Sequence, residues 1–236
     1  MATADLSLCY LCGKPLSANS HENNVDHVPM RQLWTPEVRQ SLTLNLVTVN
    51  VHKKCNSEYQ HDEDYFMATI LPLSKGSFAG ESHYKKLTSD IVQSKNLGLK
   101  IQVLDEFSNK VGNILLPSSK VAKSFDTARF NRVIWKIVRG LFFIHSNVVL
   151  PSNWPIVRDV FLEKPPEHFR WFSSLPDVPE HGDYPGVFSY RFTQLVNPNG
   201  LHYWAMLFLD KVIVTACFHD PKCGCEICSG TMQQCI

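Results

Sequence analysis

The sequence predicts an α+β protein, and three observations lead to that prediction. An amphipathic helix is indicated over residues 127–144, alternating strands are indicated between residues 187 and 218, and the first 66 residues are polar and rich in Cys, His, Asn and Asp. The composition changes shortly after residue 70, and 236 residues can form one large domain or two small ones. We therefore predict a first module over residues 1–70 and a mixed α+β domain over residues 71–236.

The helix over residues 127–144 has the clearest periodicity in the chain. Its apolar side chains recur at helical spacing and would form one buried face: Phe130, Val133, Ile134, Ile137, Val138, Leu141 and Phe142. Asp126 precedes the first turn, and its carboxylate is predicted to accept hydrogen bonds from the free N–H groups of that turn. A second helix is predicted over residues 81–96.

Strands are predicted where apolar and polar side chains alternate. The predicted strands cover residues 99–107, 111–116, 187–196, 201–208 and 212–218. The first two would pair across the turn at residues 108–110, and the third and fourth would pair across Asn197-Pro198-Asn199-Gly200. The segment over residues 160–185 is rich in Pro and acidic residues and is predicted to be a loop.

Composition and charge exclude several classes of protein. Lys plus Arg (23) nearly balance Asp plus Glu (22), for a formal net charge of +1, which excludes a strongly basic nucleic-acid-binding coat but allows a local basic patch. No apolar run approaches the roughly 18 residues that span a membrane, and the first residues lack the basic and apolar blocks of a signal peptide. We expect a soluble cytoplasmic protein that makes no membrane contact and keeps its thiols reduced.

Two pairs of metal-ligating residues lie in the first module. Cys9 and Cys12 are two residues apart and precede Gly13, whose conformational freedom lets a turn close beneath a bound ion. His52 and Cys55 repeat the same two-residue gap later in the chain. Four soft ligands arranged as two such pairs predict a tetrahedral Cys3His structural zinc site.

A second group of cysteines lies near the C-terminus. It comprises Cys217, Cys223, Cys225, Cys228 and Cys235. These residues could hold a second metal ion or remain reduced thiols, because their spacing does not match a standard zinc module. The sequence leaves both alternatives open.

Polar residues between and after the two ligand pairs complete a recognisable pattern. The ordered parts are Cys9-x-x-Cys12, Asp26-His27-Val28-Pro29, Asn45, His52-x-x-Cys55-Asn56 and Asp62-Glu63-Asp64-Tyr65-Phe66. In this order they resemble the HNH, or ββα-metal (His-Me finger), endonuclease family, over about residues 8–66. The sequence departs from that family at His52, where Cys is usual, and at Asn56, where many members have a metal-binding His.

The resemblance implies a zinc-stabilised ββα-metal finger with one catalytic centre. Three residues would be catalytic: His27 as general base, Asn45 as the residue that orients its imidazole, and Asn56, which with Asp26 would hold one Mg²⁺ or Mn²⁺. The predicted contacts to the phosphates of the DNA partner are Arg31, Lys53 and Lys54. The implied activity is hydrolysis of DNA phosphodiester bonds, as in bacterial defence or restriction endonucleases.

Other charged residues have less specific interpretations. The helix over residues 127–144 carries a stripe of four cations, Arg129, Arg132, Lys136 and Arg139, which would either follow a phosphate backbone or form an ordinary solvated face. The acids Asp62, Glu63 and Asp64 are predicted to lie on a helix surface.

Two other functions remain open on the sequence alone. A zinc-stabilised nucleic-acid-binding protein without catalysis would keep the four ligands and make Asp26 and His27 incidental. A regulatory protein would act through the second domain. The sequence leaves the role of that domain unassigned, with target recognition, regulation, binding of a protein partner and homo-oligomerisation as the alternatives. Under the endonuclease prediction, Asp26→Ala abolishes cleavage without a large loss of stability, whereas Cys55→Ser loses zinc and unfolds the first module.

Overall fold

The computed structural model describes residues 7–42, 46–92, 97–152, 157–162, 178–195 and 201–218. Its helices are α1 (Pro36–Leu42), α2 (Lys53–Ser57), α3 (Gln60–Ile70), α4 (Phe78–Val92), α5 (Leu97–Asp105) and α6 (Thr127–Ser146). Its strands are β1 (Asn23–His27), β2 (Thr48–His52), β3 (Phe107–Ser108), β4 (Lys110–Val111), β5 (Ile114–Leu115), β6 (Ala122–Lys123), β7 (Val157–Leu162), β8 (His181–Tyr184), β9 (Phe188–Leu195), β10 (Leu201–Phe208) and β11 (Val212–Phe218). Helices and antiparallel sheets occur together, so the predicted α+β class is confirmed.

The N-terminal part of the fold is built on the antiparallel pair β1 and β2. Asp26 lies opposite Val49 in this pair, and His27 lies opposite Thr48. Helix α2 begins directly after β2, and α3 follows it within three residues. Because neighbouring side chains of a strand point to opposite faces, Asp26 is buried while His27 is only half-buried.

Helix α6 is the central helix of the molecule. The Asp126 side chain accepts hydrogen bonds from the backbone N–H groups of Ala128 and Arg129, which confirms the predicted N-cap. The helix ends where Asn147 adopts a left-handed conformation (φ 59°) and returns its N–H to the Phe143 carbonyl. Among the described residues, no helix combines the length and the apolar character needed to cross a membrane.

One face of α6 packs on a five-stranded antiparallel sheet of order β7-β11-β10-β9-β8. Trp135 and Phe142 of α6 contact the ring of Phe218 on β11. Strands β9, β10 and β11 confirm the three strands predicted in this region. The prediction of a loop over residues 160–185 is wrong at both ends, because β7 and β8 are the two outer strands of the sheet; residues 163–177 and the predicted turn at 197–200 lie outside the described residues.

The predicted strand pair over residues 99–107 and 111–116 is also wrong. Residues 97–105 form the helix α5, and only Val103 of that helix is buried. The alternation of apolar residues that suggested a strand includes Ile101, which is exposed, so it does not mark a buried strand face. Residues 110–115 instead form the small hairpin β4–β5, and β3 pairs with β6.

The N-terminal part of the fold packs on another face of α6. Gly140 of α6 lies against Val28, and a side chain at Gly140 would come within 2.7 Å of a Val28 methyl carbon. Tyr10 stacks on Phe143, with ring centroids 6.3 Å apart. One hydrophobic cluster therefore includes residues from both sides of residue 70, and the division into 1–70 and 71–236 stays a prediction.

Candidate metal centre and the adjoining polar site

The turn at Cys9 to Gly13 has the backbone of a metal-binding knuckle. The N–H groups of Cys12 and Gly13 both donate to the Cys9 carbonyl, at 3.2 and 2.7 Å. Gly13 has φ +72°, a left-handed conformation that residues with a Cβ rarely adopt, so the predicted use of glycine at this turn is confirmed. The turn directs two thiols toward the junction of β2 and α2.

His52 and Cys55 meet the knuckle at that junction. The Nδ1 atom of His52 lies 3.3 Å from the Cys12 sulfur and 3.9 Å from the Cys55 sulfur. The other ring nitrogen, Nε2, lies 3.0 Å from the Pro15 carbonyl oxygen. A proton on Nε2 would satisfy that carbonyl and leave the Nδ1 lone pair facing the thiols, as in metal-bound histidines whose second nitrogen is hydrogen-bonded.

The four predicted ligands form a cluster that could bind a metal such as zinc. The ligand atoms of Cys9, Cys12, His52 and Cys55 all lie within 4.8 Å of one another. Burial and the neighbouring Cys9 and Cys12 raise the pKa of the Cys55 thiol to about 12, because a buried thiol ionises less readily when neighbouring sulfurs carry negative charge. Zinc suits such a donor set, since it accepts thiolate and imidazole ligands in a tetrahedron of about this size.

Asp26 lies in a closed, buried site. Its Oδ2 accepts a hydrogen bond of 2.6 Å from the Tyr10 hydroxyl, and the pKa of that hydroxyl is raised by burial and by the adjacent carboxylate. The Lys136 ammonium lies 2.9 Å from the same oxygen and 3.1 Å from Oδ1. Asp26 is 5% exposed and Lys136 is 3% exposed, so solvent reaches neither group directly.

The Lys136 ammonium also contacts two residues that follow β2. It donates to Asn56 Oδ1 at 3.0 Å and to Glu63 Oε1 at 2.5 Å. Burial lowers the pKa of Lys136, but the charges of Asp26 and Glu63 outweigh burial and hold that pKa above its usual value. Burial likewise raises the pKa of Glu63, although Lys136 acts in the opposite direction. The fold therefore brings Asp26 and Asn56 together around a single cation, which is a lysine side chain.

The two predicted ligands of the catalytic Mg²⁺ or Mn²⁺ do not fit a divalent ion as they are placed. Asp26 and Asn56 converge as expected, but the point on which their oxygens converge is filled by Lys136 Nζ. A divalent ion needs ligand oxygens about 2.0–2.6 Å away and would carry its charge into direct contact with the ammonium.

His27 lies next to Asp26 at the end of β1 and remains half-exposed. Burial lowers the pKa of its imidazole, and the charge of Arg31 lowers that pKa further. Arg39 and Lys136 act in the same direction, against the opposing effect of the Asp26 carboxylate. His27 is therefore neutral at pH 7 in electropositive surroundings, which is the protonation state that a general base requires.

The four cations of α6 do not share one environment, because Arg132 is exposed whereas Lys136 and Arg139 are buried. Arg129 and Arg132 both pair with Asp62, at 2.9 and 2.7 Å. Arg139 is 1% exposed and donates to the backbone carbonyls of residues 10 and 11 in the metal-binding turn. Both alternatives predicted for this stripe are wrong for Lys136 and Arg139. The prediction of surface acids is wrong for Asp62 and Glu63, which are buried.

The predicted phosphate contacts lie in two separate grooves. Arg31 lines a groove together with three other cations, Arg39, Lys86 and Lys100. Lys53 and Lys54 line a second groove beside the metal cluster, with His21 and Glu58. All three predicted residues are exposed.

Some of the predicted residues lie outside the part of the chain that the structure describes. These are Asn45 and the C-terminal cysteines Cys223, Cys225, Cys228 and Cys235; Cys217 is described and is buried on β11. Conversely, Lys136, Glu63 and Tyr10 were absent from the predicted site. A usable signal existed for Lys136, which interrupts the otherwise apolar run from Ile134 to Val138.

No protein-family model, curated protein or solved structure matches this chain. The resemblance to HNH endonucleases therefore rests on the motifs of the first 66 residues.

Proposed function

We propose that this protein is an endonuclease that hydrolyses DNA phosphodiester bonds, with His27 as the general base. The observation that carries the proposal is the half-exposed imidazole of His27, whose pKa is lowered by burial and by the charge of Arg31, at the strand position next to the buried Asp26. The four-ligand cluster next to β2 would hold a structural zinc ion and fix β1 and β2 relative to α2.

The chemistry requires a base for the attacking water and positive charge near the phosphate. His27 supplies the base, since its lowered pKa leaves it unprotonated at neutral pH. Arg31 and Arg39 are the side chains whose charges act on His27 from the neighbouring groove, and they would attract a phosphate and stabilise the charge that develops on it. No step is assigned to a divalent ion, because Lys136 fills the position predicted for it.

His27→Ala is expected to lower the rate of plasmid nicking by about 10²–10⁴-fold, the usual contribution of a general base. The assay uses supercoiled plasmid with and without added Mg²⁺ or Mn²⁺, and His61→Ala on the exposed start of α3 is the matched control. In wild type the rate should rise with pH through a midpoint below 6.5 and then stay constant, since the pKa of His27 is lowered and only its unprotonated form accepts a proton. Equal nicking by wild type and His27→Ala would rule out the proposal.

Arg31→Ala is expected to weaken DNA binding and to reduce the slope of log K against log salt concentration by about one, because one phosphate contact is lost. Fluorescence anisotropy at several salt concentrations measures the slope, with the exposed Lys110→Ala on the β4–β5 hairpin as control. The same change is expected for Lys53→Ala and Lys54→Ala. If the slope decreases in Lys53→Ala and Lys54→Ala but not in Arg31→Ala, DNA binds in the groove beside the thiol cluster and Arg31 makes no phosphate contact.

A second candidate function is a zinc-stabilised nucleic-acid-binding protein without catalysis. The observation that favours it is the enclosure of Asp26, whose two oxygens both contact Lys136 and whose Oδ2 also accepts a hydrogen bond from Tyr10. This protein would bind DNA with the salt dependence described above and would nick plasmid no faster in wild type than in His27→Ala. The nicking assay therefore separates the two functions.

A further inference from the structure

We infer that Lys136 is a built-in cation that takes the place of a divalent metal ion, and that the site becomes a divalent-cation site only when the amino group of Lys136 is removed. The inference is independent of the proposed function, because it concerns what occupies the site between Asp26 and Asn56 and not what reaction takes place beside it.

The first support is the geometry around Nζ. Oxygens from three residues of the N-terminal part of the chain converge on this one atom of α6. They are Asp26 Oδ2 at 2.9 Å, Asp26 Oδ1 at 3.1 Å, Asn56 Oδ1 at 3.0 Å and Glu63 Oε1 at 2.5 Å. The oxygens thus already surround one point, and a small inward movement would bring them to the shorter distances that a metal ion requires.

The second support is the charge and type of the ligands. Asp26 and Glu63 contribute carboxylates and Asn56 contributes an amide oxygen, which are the hard ligands preferred by Mg²⁺, Mn²⁺ and Ca²⁺. Two carboxylates around one ammonium leave a surplus negative charge in a buried place. A divalent ion would balance both carboxylates, so the oxygens that hold the ammonium would hold such an ion better once the ammonium is gone.

The third support is that the Lys136 side chain is buried and is contacted by both charged and aromatic groups. It lies mid-way along α6, is 3% exposed, and has the ring of Tyr59 5.4 Å from its Nζ. An entering divalent ion would have to displace the ammonium from two carboxylates within a buried site, which is strongly unfavourable for a buried charge. Wild-type protein is therefore expected to take no divalent ion at this site.

The test is a titration with Mn²⁺ followed by electron paramagnetic resonance, in which free Mn²⁺ gives the signal and bound Mn²⁺ does not. The proteins compared are full-length wild type, Lys136→Ala, Asp26→Asn, the double variant Lys136→Ala with Asp26→Asn, and Arg132→Ala. Each is first loaded with zinc, which the thiol cluster retains in preference to Mn²⁺. Arg132→Ala is the matched control, because it removes a cation one helical turn away that pairs with Asp62 at a partly exposed position.

We expect Lys136→Ala to bind one equivalent of Mn²⁺ with a dissociation constant at least about tenfold lower than any binding by wild type or Arg132→Ala. The double variant should lose that binding. If Lys136→Ala is unfolded without metal, added Mn²⁺ should restore its circular dichroism, since binding would then be coupled to folding.

Two results would overturn the inference. One is Mn²⁺ binding by wild type that disappears in Asp26→Asn, which would show that the ion displaces the lysine. The other is a Lys136→Ala protein that neither binds Mn²⁺ when folded nor refolds when Mn²⁺ is added. Neither result depends on DNA, so an inactive wild-type protein would count against the proposed endonuclease and leave this inference standing.

Discussion

Cys55→Ser is expected to remove one equivalent of zinc per chain and to lower the free energy of unfolding by several kcal/mol. Structural zinc contributes about 10–16 kcal/mol of apparent binding free energy in zinc-finger peptides, and a ligand loss forfeits much of it. Here the metal-binding turn also packs on the main core, because Cys9 is fully buried and Arg139 donates to the carbonyls of residues 10 and 11. Because the turn and the five-stranded sheet share one hydrophobic cluster, the loss of stability should reach the whole fold and be largest at the turn, β1 and β2.

Elemental analysis measures the zinc, and hydrogen exchange locates the unfolded segment. His52→Ala should behave as Cys55→Ser does, whereas His61→Ala should keep the full zinc content. Among the described residues, His52 is the histidine whose ring nitrogen lies among the three sulfurs. Retention of zinc by both Cys55→Ser and His52→Ala would show that the cluster is not a metal site.

Asp26→Ala is expected to lower the free energy of unfolding by about 3–5 kcal/mol. This is the usual cost of removing one partner of a buried ion pair, because the other charge is then left uncompensated. The variant leaves the Tyr10 hydroxyl without its acceptor and leaves Lys136 with Glu63 as its remaining carboxylate. This expectation replaces the sequence-based one, in which Asp26→Ala kept its stability. A loss of cleavage in Asp26→Ala would consequently say little about catalysis, and His27→Ala is the more informative variant.

Urea denaturation measures this effect, with Asp105→Ala at the exposed end of α5 as a control that should change stability by less than about 0.5 kcal/mol. A triple variant that is neutral throughout, Asp26→Asn with Glu63→Gln and Lys136→Met, should recover part of the loss, because no charge is then left unpaired. A loss of less than about 1 kcal/mol in Asp26→Ala would mean that the ion pair contributes little.

Patterns of neighbouring residues correctly predicted the helices and strands that such patterns are sufficient to specify. Helix α6 follows from a 3.6-residue apolar period and one N-cap, and β9 to β11 follow from alternation over seven or eight residues. The alternation of apolar and polar residues wrongly predicted a strand where α5 lies. A short apolar stretch is compatible with both a strand and a helix, and contacts with the rest of the fold decide between them. The outer strands β7 and β8 were missed because an edge strand needs only one paired neighbour and carries a weaker pattern.

The sequence by itself predicted the four residues of the cluster that could bind a metal ion, because each pair is held by a short turn whose spacing a single ion can bridge. The resemblance to HNH endonucleases implied that Asp26 and Asn56 would lie in one site, and oxygens of both residues contact the same ammonium. What lies between them was decided by tertiary structure alone, since Lys136 is 110 residues from Asp26, 80 from Asn56 and 73 from Glu63 along the chain. A charged residue on a helix is ordinarily assigned to solvent, and only the packing of α6 on the N-terminal strands turns this one into a buried cation.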